Sequence, residues 1–175
     1  MKNGAKVALT GVISALAVVV MLLTALPTMQ IGLPVVAGAL LIVPVVECGV
    51  RWGVTGYAAT AILSLLLAPS MESKLLFLLF FGYYPVIKAP IERLRAKPLR
   101  VFLKLLLFNA AVCVMYGILF LTMGGEALMR EMVENGWFLT ALMLVMGNAA
   151  MLLYDWMLER LLMTYMARRP GAKKR

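Results

Sequence analysis

The stretch VALTGVISALAVVVMLLTAL, residues 7–26, carries no charged residue. A helix rises about 1.5 Å per residue, so a bilayer core of about 30 Å takes about 20 apolar residues. Residues 7–26 therefore read as one membrane-spanning helix. Five more apolar stretches follow: Leu33–Val46, Trp52–Ala68, Leu75–Ile87, Val101–Met123 and Trp137–Leu158. The fifth and sixth have spanning length. The second, third and fourth are short, and ask for local thinning, polar ends inside the protein, or longer helices. The chain is 63% hydrophobic with a mean hydropathy of +0.95. The expected fold is all-α, a six-helix polytopic transmembrane bundle. It forms a single integral membrane domain over residues 1–175, multi-pass in a bacterial inner membrane. The first stretch is too long for a signal peptide and lacks a small-residue cleavage site, so it is expected to stay.

Charge fixes the expected orientation. Of the seventeen basic residues, only Lys74 and Arg130 fall in gaps on one side. Lys2, Lys6, Arg51, the run from Lys88 to Lys104 and the run from Arg160 to Arg175 fall on the other. Positive residues stay inside, which puts both termini in the cytoplasm. Residues 124–136 are expected to be an outer loop, with Glu126, Glu131 and Glu134 set against Arg130. The tail Ala167–Arg175 is expected to be mobile. The net charge of +9 lies in juxtamembrane runs. Their partners are anionic lipid headgroups and not nucleic acid. Within the gap from Lys88 to Arg100, Ala89-Pro90-Ile91-Glu92 is expected to open a short interfacial helix that Pro98 ends.

Chemistry is sparse. The chain has no histidine, a single aspartate and two cysteines. No metal site, no cofactor and no catalytic residue is expected, and the chain is not read as an enzyme. Cys48 and Cys113 are expected to be buried thiols. Charged residues gather near the cytoplasmic ends of the spans. Glu47 and Arg51 are four apart, a pairing distance if the helix continues that far; Lys88 and Glu92 repeat the spacing. With Lys104, Asp155, Glu159 and Arg160 they form an expected belt of ion pairs, either snorkelling at the interface or docking a partner. Pro85 must free a backbone carbonyl and kink or end its helix, and Tyr83 or Tyr84 is expected to answer it.

Deeper polar groups are few. Asn109 and Tyr116 share a face of the fifth span, with Cys113 between them. Asn148 sits near the middle of the sixth, seven residues before Asp155. Amides at this depth bond across helices; a ligand pocket between these spans is the sharper alternative. Its lining would be Gln30, Glu72, Asn109, Tyr116, Trp137 and Asn148, with Thr28 and Asn135 nearby.

The start Ala8-Leu9-Thr10-Gly11-Val12-Ile13-Ser14-Ala15 resembles the first helix of the substrate-binding S components of energy-coupling factor transporters. Those helices open with a small-residue face of the Ala-x-x-x-Ala kind, here filled by Gly11 and Ala15 with Ala8 one turn earlier. The glycine-spaced stretch Glu47-Cys48-Gly49-Val50-Arg51-Trp52-Gly53-Val54-Thr55-Gly56 is similar to a helical hairpin in the same family. The resemblance implies a membrane-embedded subunit that captures a small, vitamin-like molecule. It also implies partners outside this chain: a transmembrane coupling protein, met through Ala8, Gly11 and Ala15, and cytoplasmic ATPases. The alternative is a small multi-span scaffold of the rod-shape-determining type, which docks partners on its basic inner face and has no pocket.

Overall fold

The structure is a computed structural model that describes residues 2–92, 94–123 and 125–168, without the side chains of residues 27, 123–135 and 168. Among the described residues every regular element is helical. Five stretches are long and apolar enough to span a membrane: Asn3–Ala25, Val50–Leu67, Met71–Ile91, Lys97–Thr122 and Gly136–Ala167. A shorter apolar pair covers Gly32–Cys48. This is an all-α, multi-pass membrane protein. Its contacts divide it into two compact units, Met1–Lys104 and Leu105–Arg175.

In the first unit, α1 (Asn3–Leu22) buries Thr10, Ser14, Ala17, Val18 and Met21, a spacing of three and four that makes one helical face. That face packs on α4 (Val50–Leu67), whose buried side is also small: Gly53, Gly56, Thr60, Ala61 and Ser64. A Cβ on Gly56 would stand 3.2 Å from both the Ser14 hydroxyl and the Thr10 methyl. The missing side chain is therefore what lets the two helices approach. The Gly56 carbonyl then accepts from Ser14 at 3.3 Å and from Thr60 at 2.9 Å. Ala17, Met21, Ala37, Leu41, Ala61, Ala68 and Phe77 make the apolar centre.

Prolines explain the breaks. The second stretch is two helices, α2 (Gly32–Leu40) and α3 (Ile42–Cys48), parted at Leu41. Pro44 lacks the N–H that the Leu40 carbonyl would take, and the Leu41 N–H bonds three residues back to Gly38 at 3.1 Å. Pro34 sits in the first turn of α2, where no donor is needed. α3 stops because Gly49 has φ 98°, and α4 begins at Val50. The continuous helix that a Glu47–Arg51 pairing presupposes is therefore absent.

The fourth stretch is α5 (Met71–Leu76), a π turn over Phe77–Phe81, and α6 (Tyr84–Ile91). Ser70 caps α5, accepting the Ser73 N–H at 3.3 Å. Pro85 cannot donate to the Phe81 carbonyl, and the chain widens upstream: the Gly82 N–H reaches back five residues to Phe77 at 2.8 Å. The Leu78 carbonyl, which Gly82 would take in an α-helix, accepts from the Tyr57 hydroxyl at 2.7 Å. The hydroxyl that reaches the Leu78 carbonyl thus comes from α4. The Phe81 carbonyl lies where a Cβ on Gly38 would stand. Pro90 lies inside α6, which ends one residue later, so no separate interfacial helix opens at Ala89. Pro98 falls in the first turn of α7 (Lys97–Met123), where it starts a helix and does not break one.

In the second unit, α7 is followed by α8 (Gly125–Arg168), broken at Gly136 with φ 70° and ψ 158°. The expected outer loop is therefore helical over Gly125–Asn135, while Gly124 lies outside the described residues. Of the tail, Ala167 and Arg168 continue α8, and residues 169–175 lie outside the described residues. Cys48 is half-buried and Cys113 exposed, so Cys113 is not the buried thiol expected of it. An exposed face of a spanning helix meets lipid, and a thiol is apolar enough to stay there.

Gly38→Ala drives a methyl into the backbone of the π turn, which has no rotamer by which to yield. Stability should fall by about 1–3 kcal/mol, as overpacking costs elsewhere. Gly11→Ala, with nothing within 4 Å of the new methyl, should cost nothing. Thermal unfolding of both variants in detergent checks the pair.

Candidate functional site

Two polar clusters and one bare helix face remain after packing is accounted for. The first cluster is in the second unit. Asn109 of α7 and Asn148 of α8 face each other amide to amide. Asn109 Nδ2 donates to Asn148 Oδ1 at 2.8 Å, and Asn148 Nδ2 donates back to Asn109 Oδ1 at 3.3 Å. Each nitrogen spends its other hydrogen one turn back, on the carbonyls of Leu105 and Leu144, both at 2.8 Å. All four amide hydrogens are thus used. The helices come close here because residue 147 is glycine: a Cβ there would stand 3.2 Å from the Phe108 ring. Chemically this is a clasp between helices, as deep amides in lipid are expected to make.

The second cluster is in the first unit and centres on Glu92, just past the end of α6. Its carboxylate accepts from Arg100 at 2.5 Å and from Lys104 at 2.5 Å, and Lys88 stands 3.9 Å away. Lys88 and Lys104 are 5% and 7% exposed at their side chains, so both charges are nearly out of water. Such charges need an anion at hand. Burial alone would raise the Glu92 pKa. The hydrogen bond and charge of Lys104, joined by Arg100 and Lys88, outweigh it and hold the carboxyl below the usual range. One carboxylate therefore ties the end of α6 to the first turns of α7.

The expected ion-pair belt is partly there. Lys88, Glu92 and Lys104 come together and recruit Arg100, which lies eight residues from Glu92 and escapes a search by helical spacing. The signal was available: Glu92 is the sole acid among six basic residues between Lys88 and Lys104. Arg51 is exposed beyond the break at Gly49. Arg160 lies over the Trp156 ring at 5.3 Å. Asp155 and Glu159 are half-buried in α8.

The other candidate ligand residues fall in both units. Gln30 is half-buried, and its backbone carbonyl accepts the Ser73 hydroxyl at 2.8 Å, which fastens the first turn region to the start of α5. Glu72, beside Ser73, is exposed in the first turn of α5. Trp137 is 84% exposed and meets Phe138 edge to face at 6.3 Å. Tyr116 is exposed on α7, and Thr28 is exposed on its turn. The side chain of Asn135 lies outside the described residues. Among the described residues no group of three or more acidic or thiol ligands is placed to hold a metal.

Ala8, Gly11 and Ala15 are exposed on α1, flanking its packed face. Nothing lies within 4 Å of a Cβ built on Gly11. Small residues do bring helices of this unit together on the α1–α4 seam and at Gly38. Comparison with protein-family models, curated proteins and solved structures finds no match to this chain.

Replacing one asparagine strands the other amide. Asn109→Leu and Asn148→Leu should each destabilise the protein, and the double variant should lose less than their sum. A coupling of about 0.6–1.7 kcal/mol is expected for one polar contact in a membrane. Unfolding in denaturing detergent across the four-member cycle measures it.

The Glu92 cluster sets a pH dependence. Its folded pKa lies below the unfolded one. The stability it contributes is therefore complete above the ordinary glutamate value of about 4.3 and drains away as pH falls from there through the depressed folded value. Between neutral pH and pH 3, Tm of the parent should drop more steeply than Tm of Glu92→Gln. Parallel curves would show that the cluster contributes nothing.

Proposed function

We propose that this chain is a membrane-embedded substrate-binding subunit for uptake of a small, vitamin-like micronutrient, energised by a separate coupling protein and ATPases. The observation that supports it is the bare Ala8–Gly11–Ala15 face. Small residues in membrane helices let backbones approach, and those on this face meet no helix of the first unit. The face is therefore available to a second membrane protein. In this reading it docks the coupling protein. Both termini are cytoplasmic in a bacterial inner membrane, since fifteen of the seventeen basic residues then lie inside. The exposed cations Arg95 and Lys97 meet anionic headgroups beside the Glu92 cluster.

The chain performs no chemistry of its own in this reading. Gln30 and Glu72, brought near each other by the bond from the Ser73 hydroxyl to the Gln30 carbonyl, are the side chains of the first unit proposed to contact ligand. Asn109 and Asn148, whose amide hydrogens are already bonded, contribute by fixing α7 against α8. The scaffold reading docks partners on the basic inner face and has no ligand pocket.

Gly11→Leu and Ala15→Leu test the proposal. Each places a branched side chain where helices must approach, so co-purification of a coupling protein and its ATPases with the tagged chain should fall. Thermal unfolding of the isolated chain should stay at the parent value, because the face is open. Unchanged co-purification, or loss of folding together with association, would falsify the docking role.

A further inference from the structure

α7 ends at Met123 and α8 begins at Gly125, so a single residue separates them. In the sequence the apolar run of α7 reaches Met123, and the next apolar run starts at Trp137. Between these limits the backbone over Gly125–Asn135 is helical. It holds Glu126, Arg130, Glu131 and Glu134, too much charge for a bilayer core. Gly136, with φ 70°, ends this helix before the span begins. Few residues but glycine adopt that conformation, so the break is written into the sequence.

The tethers decide how the helix lies. At about 1.5 Å per residue its eleven residues measure about 16 Å. Standing along the membrane normal, it would carry one end that far from the bilayer edge. Both ends are held at that edge, one by α7 and the other by Gly136. The helix must therefore lie along the surface. Its register suits that position. At about 100° per residue, Leu128, Met129, Met132 and Val133 fall within one arc of about 140°, and Glu126, Arg130, Glu131, Glu134 and Asn135 within the remaining arc, over about 180°. Immediately past the break, Trp137 and Phe138 are 84% and 68% exposed. Aromatic residues of this kind sit where headgroups meet acyl chains.

We propose that residues 125–135 form an interfacial helix lying in the plane of the membrane. The occupant of its apolar arc is the bilayer itself, and Trp137 and Phe138 anchor the helix at headgroup level. The two tethers bring lipid to the arc with no partner needed. The segment carries three acids against one base, so attraction to anionic lipid plays no part, and phosphatidylcholine suffices. The inference holds for either orientation of the chain and does not depend on a transport role.

The test uses the full chain in phosphatidylcholine nanodiscs, with Cys48→Ala and Cys113→Ala and one nitroxide-labelled cysteine at each position from 126 to 135 in turn. Collisions with oxygen report lipid, and collisions with a water-soluble nickel chelate report water. The oxygen-to-nickel ratio should peak at 128, 129, 132 and 133 and dip at 126, 130 and 134, with a period of about 3.6 residues. Nickel-dominated values throughout would put the helix in water and overturn the proposal. Low collision with both reagents at 128 and 132 would overturn it too, because a protein surface would then cover the arc. In the unaltered chain, water-borne hydroxyl radicals should spare Met129 and Met132, and rapid oxidation there counts against the proposal even if the labelled variants fold poorly.

Discussion

A proline has no N–H, and in lipid no water stands in for one. Pro85 therefore imposes on the first unit a demand that three other elements meet. The chain before it opens into a π turn, with Gly82 bonding back to Phe77. Tyr57, one helix away, brings a hydroxyl to the Leu78 carbonyl. Gly38, on α2, leaves room for the Phe81 carbonyl. Gly82 itself must be small, since a Cβ there would stand 2.8 Å from both the Phe77 carbonyl and the Tyr57 ring. The positions of α2, α4 and α5 are thus set around one missing donor. The stiffness of close packing makes the arrangement hard to alter piecemeal.

The same economy of side chains separates the two faces of α1. Toward α4 the residues are small and hydroxylated, and Ser14 and Thr60 converge on one carbonyl. Away from it, Ala8, Gly11 and Ala15 are just as small but have no helix of their unit to meet. Small residues are not what lipid selects: a lipid-facing stretch needs only to be apolar, and larger side chains bury more.

Much of the architecture is legible in the sequence, because a bilayer enforces length and polarity more strictly than water does. All six apolar stretches are helical. The helices run past the ends of the apolar stretches wherever a charged residue stays in the helix, as Lys88 does in α6, Arg100 in α7 and Arg160 in α8. Charge marks where a helix leaves the hydrocarbon and not where it stops. Residues 124–136 were read as a loop for the same reason, although their charges repeat with a helical period. The Asn109–Asn148 contact follows from depth, since amides in lipid have few other partners. The Glu47–Arg51 spacing misled because Gly49 ends the helix between them. Tyr57 and Gly38 were not legible: their roles depend on which helix lies opposite the π turn, and spacing along the chain does not carry that.

Glu92 shows how a membrane protein handles charge at its border. Three cations converge on one carboxylate from both sides of the turn between α6 and α7. Exposed ion pairs contribute little, but Lys88 and Lys104 are nearly buried, and there an absent anion is costly. The carboxylate therefore serves two ends. It compensates cations that the apolar ends of two spans have drawn out of water, and it fixes where α7 begins relative to α6. The neighbouring Arg95 and Lys97 stay exposed beside it. A border built this way keeps its inner charges bound to the protein.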